Sequence, residues 1–149
     1  MITSAVVNGV RVMRTFQPQL VITQHPERNW DRLPASHPDH MAAGEAAIQS
    51  VYPDARNPFA HAALLQDEGL DAWTVSEVWV MGHHTLTHYV DVTDNFARKI
   101  AALRAHESQT AHMPDLEGLV GGWARRIASV AELPEGRMAE GFFVSIMPA

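Results

Sequence analysis

Two histidines and a carboxylate lie within four residues of this chain, at His37-Pro38-Asp39-His40. Neutral imidazole is the commonest metal ligand in proteins, and it also acts as a general acid or base near neutral pH. If a helix begins here, residues 37 and 40 share one side of it, because positions i and i+3 are neighbours on a helix surface. The segment therefore predicts a metal site, an acid–base catalytic site, or a polar helix start with two surface histidines.

The residues around these histidines do indicate a helix start. Pro38 suits the first helical position, because it lacks the N–H that would have no partner there. Asp39 then falls in the first turn, where a negative charge complements the helix dipole, and His37 takes the N-cap position. The helix is expected to reach about Ser50, and Gly44 inside it predicts a close backbone contact.

A strand is predicted just before this helix, in residues 20–23, where apolar and β-branched side chains point to both faces. Such a pattern is typical of a buried strand in an α/β protein. The loop between strand and helix follows the carboxyl end of the strand, which is where open α/β sheets bind their ligands. Trp30 in this loop is predicted either to cover a ligand pocket or to pack on the flank of the domain.

The rest of the chain alternates between helical and extended patterns. Val6, Val10 and Met13 form the stripe of a first helix, and another stripe in a late helix consists of Leu119, Trp123, Ile127 and Val130. Further strands are predicted in residues 75–81, 88–92 and 142–147, with a helix in residues 93–104. This order predicts a single α/β domain over residues 1–149.

The composition limits the functions that the chain can have. It has 149 residues, a net charge of −6, nine histidines and no cysteine. The negative charge argues against a nucleic-acid partner, and the lack of cysteine fits a reducing compartment. No run approaches the roughly 18 apolar residues of a membrane span, and residues 1–14 do not read as a secretory signal. We therefore expect a cytoplasmic protein without a membrane span.

At this point the ordered motifs resemble those of the PIG-L/LmbE-like deacetylases, which remove acetyl groups from N-acetylglucosamine-type sugar conjugates. The His-Pro-Asp-His segment at residues 37–40, with Gly44, is similar to the second signature motif of that family. Four further segments also fit: residues 18–23, Tyr52-Pro53 with Ala55-Arg56, the Asp91-Val92-Thr93 run with Lys99 and His106-Glu107-Ser108-Gln109, and Ala139-Glu140 with Phe142.

The resemblance implies a fold and a set of roles. The fold would be a Rossmann-like three-layer α/β sandwich with a mostly parallel sheet. His40 would be a metal ligand, His37 would stabilise the oxyanion and protonate the leaving amine, and Asp39 would orient His37. The metal would be Zn²⁺ or another divalent ion, and the substrate a small glycoconjugate that Trp30 helps to bind. The activity implied is amide hydrolysis by metal-bound water.

One family motif does not occur in the chain. The earlier Ala-His-Pro-Asp-Asp signature, which supplies two metal ligands and the general base, has no counterpart here, so the N-terminal strands of the fold are expected to be missing. Two interpretations follow: the C-terminal portion of a deacetylase, or a truncated non-catalytic paralogue that keeps the fold and a sugar- or metal-binding remnant. An exposed apolar sheet edge is also expected, and with it a homo-oligomer or a complementing N-terminal segment.

The remaining histidines offer weaker alternatives. His25 could join His37 and His40 in a three-histidine metal site without any deacetylase chemistry. A second cluster, of His83, His84 and His88, is expected at a solvated turn. Three others are expected to be structural or solvent-facing: His61, His106 and His112.

Overall fold

The computed structural model describes residues 2–148, and these divide into two compact units. The first unit comprises residues 2–86 and 142–148, and the second comprises residues 87–141. The prediction of a single domain stays a prediction. None of the helices in the described part of the chain combines the length and apolarity that crossing a bilayer requires.

Ten helices and strands make up most of the described residues. In order, they are α1 (Ile2–Phe16), β1 (Leu20–Gln24), α2 (Pro38–Gln49), α3 (Ala62–Gln66), β2 (Glu77–Met81), β3 (His88–Asp91), α4 (Phe96–Arg104), α5 (Glu107–Thr110), α6 (Leu116–Val130) and β4 (Ala139–Ile146). Short 3₁₀ turns precede α2 and α4, and an irregular helical segment, Ser50–Ala55, continues α2. Tyr52 interrupts that segment with extended backbone angles, which a residue before proline favours.

These strands form one mixed sheet in the order β1-β2-β4-β3. β1 runs parallel to β2, with Gln24 opposite Met81, and β4 runs antiparallel to β2. The α/β fold class predicted from the sequence is confirmed, and the sheet is not wholly parallel. Because β1 and β2 are parallel and in register, their carboxyl ends lie side by side.

The core of the first unit forms as the sequence predicts for α1. Val6, Val10 and Met13 are buried there, and Val78 and Val80 of β2 belong to the same cluster. The expectation that β1 is buried on both faces is wrong, since Leu20 is 36% exposed and Ile22 is 51% exposed. The reason is that β1 is an edge strand of the described sheet, so less of its surface is covered.

Arg14 gives this unit a buried cation. It is 2% exposed, and its guanidinium donates to the carbonyl oxygens of Asp54, Ala55, Asn57 and Ala60 at 2.8–3.2 Å. These bonds fix the segment that follows α2.

The second unit has its own core, and one of its helices packs differently from the prediction. α6 buries Leu116, Val120 and Ala124 against Phe96 and Ile100 of α4. The predicted stripe is instead largely outside, with Leu119 44% exposed, Trp123 50% exposed and Val130 57% exposed. Small residues explain the choice of face: a Cβ on Gly121 would lie 3.3 Å from the Phe96 ring, so the helix approaches α4 along its glycine and alanine side.

Candidate functional site

The His-Pro-Asp-His segment lies at the start of α2, and Gly44 fixes that helix against β1. A Cβ on Gly44 would lie 2.4 Å from the backbone oxygen of Gln24, the last residue of β1. This confirms the close contact predicted at Gly44. Since His40 precedes Gly44 by one turn, it lies on the same side of α2.

His37 caps α2 as predicted. Its Nδ1 accepts the backbone N–H of Asp39 at 3.3 Å, and its backbone is extended. An acceptor role at Nδ1 leaves the ring proton of the neutral side chain on Nε2, where it can be donated to another molecule. The Asp39 carboxylate lies 3.8 Å from His37 Nδ1 and its side chain is 89% exposed. The closer link between the two residues is therefore the backbone N–H.

His40 points its ring toward that of His37. The two ring centroids are 5.3 Å apart, at an interplanar angle of 44°, and both residues are exposed. Two imidazoles are one ligand short of the three protein ligands that a catalytic zinc site takes. Within residues 2–148, no further His, Asp, Glu or Cys completes a three-ligand group with this pair. The described residues thus place two ligands at this helix start and no third one beside them.

Trp30 lies on the surface of the loop that joins β1 to α2. It is 79% exposed, and the Arg28 guanidinium carbon lies 5.7 Å from its ring centroid. The loop itself is fixed by Ser36, whose buried hydroxyl accepts the Asn29 N–H at 2.8 Å.

A second histidine group forms where β1 and β2 end. His25 directly follows β1, and His83 and His84 follow β2 after Gly82, which has a φ of +73°. One ring nitrogen from each of these three histidines lies within 4.8 Å of the other two. The sequence predicts His25 and His83 in separate clusters, and His88 does not belong to the group that the structure forms.

The rings of this histidine group are packed against one another. His83 stacks on His84 with centroids 4.3 Å apart, and His25 meets His83 edge-on at 4.7 Å. Phe143 of β4 stacks on His83 at 4.5 Å. Burial, and then the neighbouring His83, lower the pKa of the His25 imidazole below its usual value.

A cavity of about 240 Å³ adjoins the group. His25, Glu27 and His83 line it beside the apolar side chains of Val78 and Val80. Trp30, His37 and His40 are not among the lining residues. His25 and His83, which the fold brings together, thus line this cavity, whereas the His37-Pro38-Asp39-His40 motif does not.

The other motif segment forms a polar network in the second unit. Asp91 accepts from the N–H and hydroxyl of Thr93 at 2.9 and 2.7 Å and pairs with Arg137 at 2.6 Å. The hydrogen bonds from Thr93, and then the guanidinium, lower the pKa of Asp91. Lys99 pairs with Glu140.

Of the histidines expected to be structural, His61 lies in the first unit. Its Nε2 is hydrogen-bonded to the Asp54 carboxylate at 2.8 Å.

Comparison with known proteins gives relatives of one kind. Diacetylchitobiose deacetylase from Thermococcus kodakarensis is 31% identical over 100 residues, which are 67% of this chain and 35% of that protein. A Bacillus cereus protein described as a probable N-acetyl-α-D-glucosaminyl L-malate deacetylase 2 is 29% identical over 104 residues, 68% of this chain and 40% of that protein. No protein-family model matches the chain.

Solved structures agree with the sequence matches. The N,N′-diacetylchitobiose deacetylase of Pyrococcus horikoshii superposes with a TM-score of 0.81 at 26% identity, covering 96% of this chain and 51% of that chain. A conserved protein from Thermus thermophilus shares the fold, with a TM-score of 0.68 at 19% identity, covering 98% of this chain and 59% of the other.

The fold is the mixed α/β fold of the deacetylase structure that the chain matches. More closely, the chain belongs to the PIG-L/LmbE-like deacetylase family, as its ordered motifs indicate. It spans between 35% and 40% of the length of the two curated relatives.

Proposed function

We propose that the chain contributes the second histidine motif of a metal-dependent hydrolase that removes an acetyl group from an N-acetylglucosamine-type sugar conjugate. The observation that carries this proposal is the His37–His40 pair at the start of α2, in a chain 31% identical to a diacetylchitobiose deacetylase over 100 residues. A cytoplasmic location stays a prediction.

In this proposal, His37 acts on the reacting amide. Its Nε2–H donates to the oxygen that becomes negative as the carbonyl carbon turns tetrahedral, which is the charge that such enzymes must stabilise. Asp39 keeps the ring in this tautomer, because its N–H occupies Nδ1 at 3.3 Å. To protonate the leaving amine as well, the ring must first take up a second proton at Nδ1, in place of that contact. The imidazolium then gives its Nε2 proton to the amine and remains as a neutral ring.

His40 is the proposed metal ligand. A bound divalent ion supplies an activated water at neutral pH, and Zn²⁺ is the proposed ion because imidazole and carboxylate ligands suit it. Another divalent ion at the same ligands is compatible with this donor set. The other ligands and the general base are proposed to come from a complementing segment that carries the His-Pro-Asp-Asp signature.

The edge of β1 supports the need for a further strand. β1 is an outer strand of the described sheet, and its Leu20 and Ile22 side chains are exposed. An unpaired edge of this kind binds another strand readily. The proposed occupant is the complementing segment or a second copy of the chain. Light scattering of the purified chain distinguishes a monomer from a homo-oligomer.

An assay of acetate release tests the activity. The purified chain, mixed with the remaining part of the Thermococcus relative as the complementing segment, is incubated with Zn²⁺ and N,N′-diacetylchitobiose or an N-acetylglucosaminyl malate. The variants His37→Ala, His40→Ala and His112→Ala are treated in the same way. His112 is exposed and lies in the second unit, so its variant is the matched control. We expect turnover to fall by about 10²-fold or more in the first two variants only. Turnover that survives both substitutions contradicts the proposal.

A non-catalytic paralogue is the second candidate, because no third ligand joins His37 and His40 among the described residues. In that case the chain binds the sugar without releasing acetate, even after the remaining part of the Thermococcus relative is added. Quenching of tryptophan fluorescence, compared with Trp30→Phe, measures that binding and tests whether Trp30 contacts the sugar.

A further inference from the structure

We propose that His25, His83 and His84 form a binding site for a divalent transition-metal ion, of which Zn²⁺ is the reference case. The site shares no residue with the His37-Pro38-Asp39-His40 motif on which the family resemblance rests. It is independent of the proposed deacetylase activity, which rests on His37 and His40.

The placement of the three residues is the first argument. In a parallel pair of strands, the residues that follow opposite ends emerge side by side, and Gln24 lies opposite Met81. His25 follows the first of these ends, and Gly82 turns the chain so that His83 and His84 follow the second. This is the edge of the sheet at which open α/β proteins bind their ligands.

The distances suit a metal after a small adjustment. Tetrahedral coordination with Zn–N bonds of 2.0–2.1 Å separates two ligand nitrogens by about 3.4 Å. In the structure the three nitrogens lie within 4.8 Å of one another. Closure therefore needs the widest pair of nitrogens to approach by up to about 1.4 Å, which small rotations of the rings about their side-chain bonds can supply.

One of the two tautomers of His83 suits a ligand role. Its Nδ1 accepts the Thr85 N–H at 2.9 Å when the ring proton is on Nε2, and it donates to the Thr85 carbonyl oxygen at 2.8 Å when the proton is on Nδ1. When Nδ1 donates to the carbonyl, the lone pair of the neutral ring is on Nε2. Metal-ligating histidines usually hold their second nitrogen in this way, with a backbone carbonyl as partner.

His25 gives the second, independent argument. Its Nδ1 is buried and has no hydrogen-bond partner, although a buried polar atom left without one is costly. A metal ion bound at Nδ1 would give this atom the partner that it lacks. Glu27, which is exposed, lines the same cavity and adds a carboxylate to it.

Three imidazoles leave one coordination position open. Because His25 and His83 both line the cavity of about 240 Å³, that position faces a space that admits water or a small ligand. Imidazole ligands suit zinc, nickel and copper better than calcium or magnesium. The site should therefore prefer Zn²⁺ or Ni²⁺ over Mg²⁺.

Equilibrium dialysis of the full chain with Zn²⁺ tests the site. We expect the affinity to fall by at least about 10- to 100-fold in His84→Ala, since even the loss of an outer-shell partner has that effect. His112→Ala is the control, and His40→Ala separates the two histidine groups. Both should bind like the parent at this site. Circular dichroism of His84→Ala checks the fold, which an exposed position should not disturb.

A second measurement needs no variant. Imidazole ¹⁵N shifts of the labelled parent chain are recorded during a Zn²⁺ titration. We expect three histidines, His25, His83 and His84, to show the shift of a metal-bound nitrogen at one equivalent. Equal affinity of His84→Ala and the parent, no Zn²⁺ binding by the parent, or binding lost only in His40→Ala would each overturn the proposal. None of these results decides whether the chain deacetylates sugars.

Discussion

The two histidine groups of the first unit are built in opposite ways. His37 and His40 are close in sequence, lie on one exposed helix start and would come together in an isolated helix. His25 and His83 are 58 residues apart and meet only because β1 pairs with β2 in one register. The first group therefore depends on local structure, whereas the second depends on the tertiary fold.

The two histidine groups also differ in how far their side chains are buried. Both residues of the local pair are exposed, whereas His25 and His83 of the second group are half-buried beside a cavity. An exposed pair at a helix start is suited to meet a partner segment or a substrate. A half-buried group with an unpartnered nitrogen is suited to hold an ion. Perturbations of the chain should therefore separate the two groups, and the following four are ordered by their expected effect.

The largest effect is expected from Gly44→Ala, because this position supports both groups. The new Cβ would lie 2.4 Å from the Gln24 oxygen, so α2 must move away from β1. We expect the free energy of unfolding to fall by about 1–3 kcal/mol in urea denaturation, as for other overpacked positions. Zinc affinity at the second group should fall as well, since His25 directly follows Gln24.

Gly122→Ala is the matched control for this substitution. Gly122 is also helical, and a Cβ added there would meet nothing within 4 Å, so alanine should raise the stability by up to about 1 kcal/mol through helix propensity. Equal effects of the two substitutions would contradict the close contact at Gly44.

Ser36→Ala should affect the local pair and spare the other group. It leaves the Asn29 N–H without its acceptor, and the expected loss is about 1 kcal/mol. Hydrogen exchange should accelerate in residues 29–36, while zinc affinity at His25, His83 and His84 stays unchanged. Ser129→Ala, at an exposed position of α6, serves as the control. A matching loss of zinc affinity would show that the two groups are coupled through the loop.

The same contrast explains how much of the fold and of the candidate site could be predicted from the sequence. The helix start, its N-cap and the contact at Gly44 follow from short-range rules, and the structure confirms all three. The grouping of His25 with His83 needs the strand register, which no local pattern contains. A parallel pairing of residues 20–24 with 77–81 would have been the signal, since both strands are followed closely by histidine.

The prediction of which face of α6 is buried was wrong for a related reason. Large apolar residues at helical spacing, such as Leu119 and Trp123, predict a core stripe, but the packing partner decides which face is used. Phe96 needs a shallow surface, and Gly121 with Ala124 provides it. Periodicity alone gives the helix, whereas the choice of face depends on the shape of its neighbour.

His37→Ala and His37→Asn separate capping from chemistry. Alanine removes the acceptor of the Asp39 N–H, and because that bond is long, at 3.3 Å, we expect a loss of only about 0.5 kcal/mol. Asparagine is a good N-cap and should restore the stability without restoring acetate release. Recovery of activity in His37→Asn would argue that His37 serves only as a cap.

Asp39→Asn should have the smallest effect, because it removes a charge but keeps the backbone N–H that holds His37. The carboxylate is 89% exposed and 3.8 Å from the ring, so its contribution is a helix-dipole interaction of about 0.5 kcal/mol or less. Glu45→Gln, an exposed charge further along α2, is the control. We expect the pH profile of acetate release to stay in place in Asp39→Asn. A displaced profile would instead assign the tuning of His37 to the carboxylate, and the local pair would then depend on charge as well as on backbone geometry.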